Sequence, residues 1–170
     1  MMKIYLTGFM AAGKSVLAKK IAGKLQLPCI DLDMEIERFC GNSIAGIFAD
    51  KGETTFRKME SARLVYVSKA QENFVMACGG GIVEDKHNLY TMQEHGVVIF
   101  VKTDVEIIKQ RLKTENKERP LLKNVTEKAQ NNLIDQLYQR RISNYKKADI
   151  VFHPGLESTD DLILDIKSFL

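Results

Sequence analysis

Gly8-Phe9-Met10-Ala11-Ala12-Gly13-Lys14-Ser15 follows the short apolar run Ile4–Thr7 and opens the segment Lys14–Leu25. The octapeptide satisfies G-x-x-x-x-G-K-[ST]. It also sits where that motif must sit, with a predicted buried strand before it and a predicted helix after it, Leu17, Ile21 and Leu25 recurring at steps of four. The residue types follow from the task of holding a phosphate. Glycine lacks Cβ, so successive backbone N–H groups can turn inward around an anion, and the helix N-terminus behind them adds partial positive charge. Lys14 is placed to reach the β- and γ-phosphates and the Ser15 hydroxyl to ligate Mg²⁺. By residue frequencies, fewer than ~1% of chains this long match by accident. The stretch points to a nucleoside triphosphate and leaves the phosphate acceptor open.

Outward from that loop, apolar runs alternate with helix-period segments. Cys29–Leu32, Phe74–Cys78, Val97–Lys102 and Ile150–Phe152 read as further strands. Helices are predicted over Ser43–Asp50 and Glu53–Ala70, parted by Gly52, then over Asp104–Leu112 with Asp104 as cap, over Thr126–Lys147, and from about Ser158 onward. Strands alternating with helices imply a parallel sheet covered on both faces, an α/β doubly wound fold of three layers. Residues 1–170 are expected to form one domain, with the polar, charged stretch 113–124 as a lid.

Composition narrows the function classes. The chain has 170 residues, 45% hydrophobic and 28% charged, with a net charge of +3 and acids and bases interleaved, which gives no basic patch for nucleic acid. Three cysteines, Cys29, Cys40 and Cys78, lack metal-ligand spacing and read as reduced thiols. Gly8 interrupts the N-terminal apolar run too early for a secretory core, and no stretch approaches the roughly 20 apolar residues of a membrane helix. The expectation is a cytoplasmic protein with no membrane partner.

Three stretches are candidates for the acceptor side. Asp31-Leu32-Asp33 follows the second strand, and residues two apart on a strand share a face, so both carboxylates could point toward the phosphate loop. Taken alone, Asp33 serves equally well as the cap of a helix beginning near Met34. Glu53, Phe56, Arg57 and Glu60 fall at helical steps of three and four, joining a bidentate carboxylate binder to an aromatic wall and two acids. The plainer account of the same residues is a surface ion pair between Arg57 and Glu53 or Glu60. Gly79-Gly80-Gly81 ends a predicted parallel strand, where α/β folds bind ligands and something must approach the backbone closely; a loose turn is the alternative.

Together these motifs resemble the shikimate kinase family, of the nucleoside-monophosphate-kinase-like P-loop branch. The resemblance spans essentially the whole chain. It adds Arg119-Pro120-Leu121-Leu122 in the lid and Arg141-x-x-x-Tyr145 near the end of the long helix to the stretches above. It implies a P-loop kinase with a five-stranded parallel sheet of order 2-3-1-4-5, an acceptor segment at about 33–61, ATP and shikimate as substrates, Mg²⁺, and a monomer. It also implies residue roles: Asp33, Lys14 and Arg119 catalytic; Asp33, Phe56, Arg57, Glu60, Gly79, Gly80, Gly81 and Arg141 on the acceptor. ATP would meet Ala11, Ala12, Gly13, Lys14, Ser15, Val16, Arg111, Arg119 and Pro154, with Ser15 and (through water) Asp31 on the metal. Gluconate as acceptor and a non-catalytic nucleotide-binding homologue are the alternative readings. Three positions depart from the family pattern: Ala11 replaces a glycine and is expected to be tolerated at negative φ, Cys78 replaces a hydroxyl residue, and Ser143 replaces a proline and is expected to loosen its helix.

Overall fold

The computed structural model describes residues 1–114, 120–122 and 126–169. Among the described residues, five strands pair in parallel in the order β2-β3-β1-β4-β5: β1 (Lys3–Thr7), β2 (Cys29–Asp31), β3 (Phe74–Ala77), β4 (Val97–Val101) and β5 (Ile150–Phe152). Parallel neighbours need crossovers, and the helices that supply them are α1 (Lys14–Leu25), α2 (Leu32–Cys40), α3 (Ile44–Ala70), α4 (Lys86–His95), α5 (Val105–Thr114), α6 (Glu127–Tyr145) and α7 (Thr159–Phe169). The strands are apolar on both faces, so both faces must be covered. Tyr5, Phe74, Met76, Val98 and Phe100 enter a core capped by α2 to α6, including Ile36, Leu64, Met92, Ile108 and Ile134. Ile4, Leu6, Val75, Val97 and Ile99 face the other way, against Leu17 and Ile21 of α1 and Leu162 and Ile166 of α7. These are the three doubly wound layers that the alternation predicts.

Register explains where a site can form. Leu6 lies opposite Ala77 and Ile99, and Asp31 also lies opposite Ala77. The chain therefore leaves β1, β2 and β3 at one level, on the carboxyl edge, into the Gly8–Ser15 loop, the start of α2 and the Gly79–Gly81 turn. The sheet order reverses about β1, whose neighbours are β3 and β4. A crevice at that switch point is the usual ligand position in open α/β sheets.

Several elements differ from the sequence-based expectation. The strand predicted over Cys29–Leu32 stops at Asp31, because the Asp31 side chain accepts from the backbone N–H of Asp33 and Met34 and caps α2 at once. A short 3₁₀ turn, Ile82–Glu84, and helix α4 occupy a stretch to which periodicity assigned nothing; the Asp85 side chain caps α4 through the His87 N–H. Gly52 divides α3 as predicted, as a kink at φ 75°, ψ 168° inside one continuous element. α6 runs unbroken through Ser143 to Tyr145, so the serine does not interrupt the helix.

Candidate active site

The Gly8–Ser15 loop wraps the mouth of a cleft of about 600 Å³, lined by Ala11, Ala12, Gly13, Lys14, Ser15, Val16, Arg111 and Pro154 among others. Two of its turns demand glycine: Gly8 has φ 139° and Gly13 φ 97°. Ala11 also stands at positive φ, 57°, which corrects the expectation of negative φ. The left-handed conformation puts Cβ too near the following carbonyl oxygen, a strain of about 1–2 kcal/mol. Lys14 Nζ folds back to donate to the carbonyls of Gly8 and Phe9, both at 2.8 Å. Arg111 Nη1 donates to the Ala11 carbonyl at 2.9 Å, tying α5 to the outer side of the loop.

Asp31 and Asp33 both line this cleft, though not by sharing a strand face. Asp31 ends β2, and one of its oxygens caps α2 while Oδ2 accepts from the Ser15 hydroxyl at 3.0 Å. Asp33 lies in the first turn of α2. The helix cap is thus Asp31 rather than Asp33. The Ser15–Asp31 pair offers hard oxygen donors beside the phosphate loop, and Mg²⁺ in such sites takes only one or two side chains besides phosphates and water. The donor set fits that ion.

A second cavity, about 320 Å³, adjoins the first and is lined by Asp33, Phe56, Arg57, Glu60, Gly79, Gly80, Gly81 and Arg141, together with Phe48, Pro120 and Leu121. Met10, Asp33, Gly79 and Gly80 line both cavities, so they form the wall between them. Glycine is required along this wall by close approach. A Cβ on Gly79 would collide with Glu60 Oε1, one on Gly81 with the Arg57 guanidinium, and one on Gly80 would meet the Met10 backbone N–H at 3.1 Å.

Two arginines serve this second cavity. Arg57 Nη1 bonds Glu60 Oε2 at 2.7 Å and Nη2 bonds Glu53 at 3.3 Å, while its guanidinium carbon lies 5.1 Å from the centre of the Phe56 ring. The ion pair of the plainer account exists, and Arg57 and Glu60 line the cavity. Arg141 is buried, only 1% exposed, and Nη2 donates to Glu84 Oε2 at 2.8 Å. Among the described residues, Nε of both arginines is buried without a hydrogen-bond partner, as is Glu60 Oε1. Arg63 Nε, away from the cavity, is unpaired in the same way. Burial pushes the Glu60 carboxyl up to about 6; Arg57 pulls the other way without offsetting it, and Asp33 adds to the rise. Arg57 is shifted above its ordinary range: burial opposes its charge, but Glu60 and then Glu53 outweigh that.

Arg119 lies outside the described residues, as do 115–118, 123 and 124 of the predicted lid. Cys78 packs its buried thiol 3.8 Å from the sulfur of Met92, as a core residue. Sequence reasoning missed Glu84, which contacts Arg141 across 57 positions. It also missed the bond from the Tyr145 hydroxyl to the Gly80 carbonyl, although it had singled out Tyr145.

The family model for shikimate kinase matches residues 10–170. The chain belongs to the shikimate kinase family. Curated relatives named shikimate kinase include that of Persephonella marina, 39% identical over 150 residues (88% of this chain and 87% of that one), and that of Pelotomaculum thermopropionicum, 37% identical over 170 residues (100% and 96%). A solved structure of the Acinetobacter baumannii shikimate kinase in complex with shikimate superposes with a TM-score of 0.87 at 30% identity, covering 99% of this chain and 92% of that one. More distant matches, such as a sugar kinase from Janibacter at 12% identity and TM-score 0.62, share the fold alone. Membership of the family makes the chain a small-molecule kinase with a P-loop. No helix among the described residues is long and apolar enough to cross a membrane.

Proposed function

We propose that this chain transfers the γ-phosphoryl group of ATP to the 3-hydroxyl of shikimate, giving shikimate 3-phosphate and ADP. The observation that carries the reading is the shared wall: a phosphate cleft and a cavity lined by two arginines, one of them buried, meet at Asp33. The relative solved with shikimate supports the choice of acid. In this reading Arg57 and Arg141, which line the acceptor cavity, take the substrate carboxylate. Losing either arginine would leave that anion under-paired and weaken binding by about 2–5 kcal/mol. Asp33, at the junction, accepts the proton of the attacking hydroxyl. Gly79 to Gly81 bring backbone against the ring, and Phe56 walls one side.

On the donor side, the loop amides with Lys14 hold the phosphates, with Arg111 and Pro154 flanking the nucleotide. Ser15 and, through water, Asp31 would hold Mg²⁺, which when bound neutralises charge on the β- and γ-phosphates. Arg119 is assigned to the transferring phosphoryl group on its motif alone. Little covalent work falls to the protein in phosphoryl transfer, so positioning and electrostatics dominate. We take residues 1–170 as one functional unit, a cytoplasmic monomer with its lid at about 113–124 and its acceptor segment at about 33–61. A coupled ADP-release assay across shikimate, quinate and gluconate tests the assignment. Shikimate should give the highest kcat/KM, and preferential turnover of gluconate would retire it.

A further inference from the structure

Among the described residues Arg141 is the largest fully buried side chain, and its charge needs a permanent counter-ion inside the fold. That counter-ion is Glu84, in the 3₁₀ turn that follows the glycine triplet. The two residues sit in a definite order. Arg141 lines the acceptor cavity and Glu84 does not; Glu84 lines a neighbouring open cavity that shares Arg57 and Gly81 with the first. The guanidinium therefore bonds a carboxylate that lies outside the acceptor space. The Phe9 ring, 5.8 Å away, bounds its remaining side.

A carboxylate so placed could quench the arginine and repel an incoming acid. Arg140 prevents this. Its Nη2 meets Glu84 Oε1 at 2.5 Å, so each oxygen of Glu84 has its own arginine. Burial alone would raise the Glu84 carboxyl, but the hydrogen bond and charge of Arg141, followed by those of Arg140, overcome it and hold the group below the usual carboxylate range. The carboxylate is thus ionised and shared between two arginines, so it is not an unpaired anion beside the acceptor space.

We infer that Glu84, clamped between Arg140 and Arg141, is a positioning residue that fixes the Arg141 guanidinium at the acceptor cavity for the substrate carboxylate. The inference rests on the shikimate reading above. Glu84 does not touch the acceptor. It acts through one hydrogen bond to Nη2, which fixes where the guanidinium lies at the acceptor cavity. Its place directly after Gly79–Gly81 also links the triplet to α6, which the Tyr145 bond to Gly80 reinforces.

The test is steady-state kinetics on Glu84→Ala, Glu84→Gln and Glu84→Asp, with shikimate and with its methyl ester, which lacks the anionic carboxylate. Glu84→Ala should raise KM for shikimate at least about tenfold, the range for truncating one partner of a buried charge pair, while KM for ATP stays within about twofold. Glu84→Gln keeps an oxygen that accepts from Nη2 and should restore KM to within about threefold of wild type. Turnover of the ester should be the same in all forms. A shikimate KM in Glu84→Ala within twofold of wild type overturns the inference, and so does a parallel rise for the ester or for ATP, which would mean general damage. Should Glu84→Ala lose its fold by circular dichroism, Glu84→Asp decides, since it keeps the charge but withdraws it by one methylene; an unchanged KM there also overturns the inference. Wild-type enzyme inactive on shikimate would instead retire the acceptor assignment, and this inference with it.

Discussion

Ala11→Gly should stabilise this protein, against the general rule that adding glycine loosens a fold. Ala11 is held at φ 57°, in the left-handed region that a Cβ disfavours by about 1–2 kcal/mol. Glycine removes that strain but adds unfolded-state freedom costing about 0.4–1 kcal/mol. The difference is a net gain of about 0–1.6 kcal/mol, centred near 0.8, which at the centre is a rise in Tm of roughly 2–3 °C for a domain of this size. The contact nearest the site survives, because Arg111 bonds the backbone carbonyl of Ala11 and not its side chain. Ala12→Gly is the matched control. Ala12 is not at positive φ and its methyl is buried at 1% exposure, so that variant should lose about 1 kcal/mol or more. Scanning calorimetry of the two variants beside wild type reads both signs in one experiment. If Ala11→Gly melts at or below wild type, the left-handed alanine carries no strain and the reasoning fails.

Three more outcomes are expected. Asp33→Asn should abolish turnover while ATP affinity by calorimetry stays within a few-fold, since the base goes and the phosphate loop stays; an unchanged kcat would show that Asp33 plays no part in the proton transfer. Gly79→Ala should raise KM for the acid and lower kcat, because the new methyl displaces Glu60 Oε1 and meets Asp33 Oδ1 at 3.2 Å; wild-type kinetics would mean that the wall is more yielding than the packing indicates. The Glu60 carboxyl, at about 6 in the fold against an ordinary 4.5, holds a proton that the unfolded chain has already released between those values. Stability contributed by this group is therefore fully present below about pH 4.5 and falls as pH rises toward 6, by about 2 kcal/mol in total. Urea unfolding across pH 4 to 7 should show Glu60→Gln lacking this fall, and parallel curves for variant and wild type would refute it.

Much of the architecture was legible because buried parallel strands carry a strong apolar signature. Val97–Val101 and Phe74–Ala77 are buried at every position. α4 was not legible: its buried positions are Asn88, Leu89 and Met92, with Tyr90 exposed among them, so its core stripe is too thin to show as a period. Its clearer cue was local, the Asp85 cap. Asp31 and Asp33 were read as strand neighbours because nothing in the spacing reveals that a helix can start on the last residue of a strand when that residue caps it. Residue pairing over long range was the least accessible information. Arg57 meets Glu60 within one helix turn and was foreseen, whereas Glu84 reaches Arg141 only through the fold. The conformation of Ala11 was hidden for another reason, since its residue type argues against the backbone that the loop imposes.

Because Met10, Asp33, Gly79 and Gly80 are common to both chambers, the two adjoin directly. A single compound with an oligophosphate head and an acid tail, tethered by a few bonds, would therefore occupy both chambers at once. Its second half would bind at the high effective concentration set by so short a tether, and its affinity would exceed that of either fragment without any new contact.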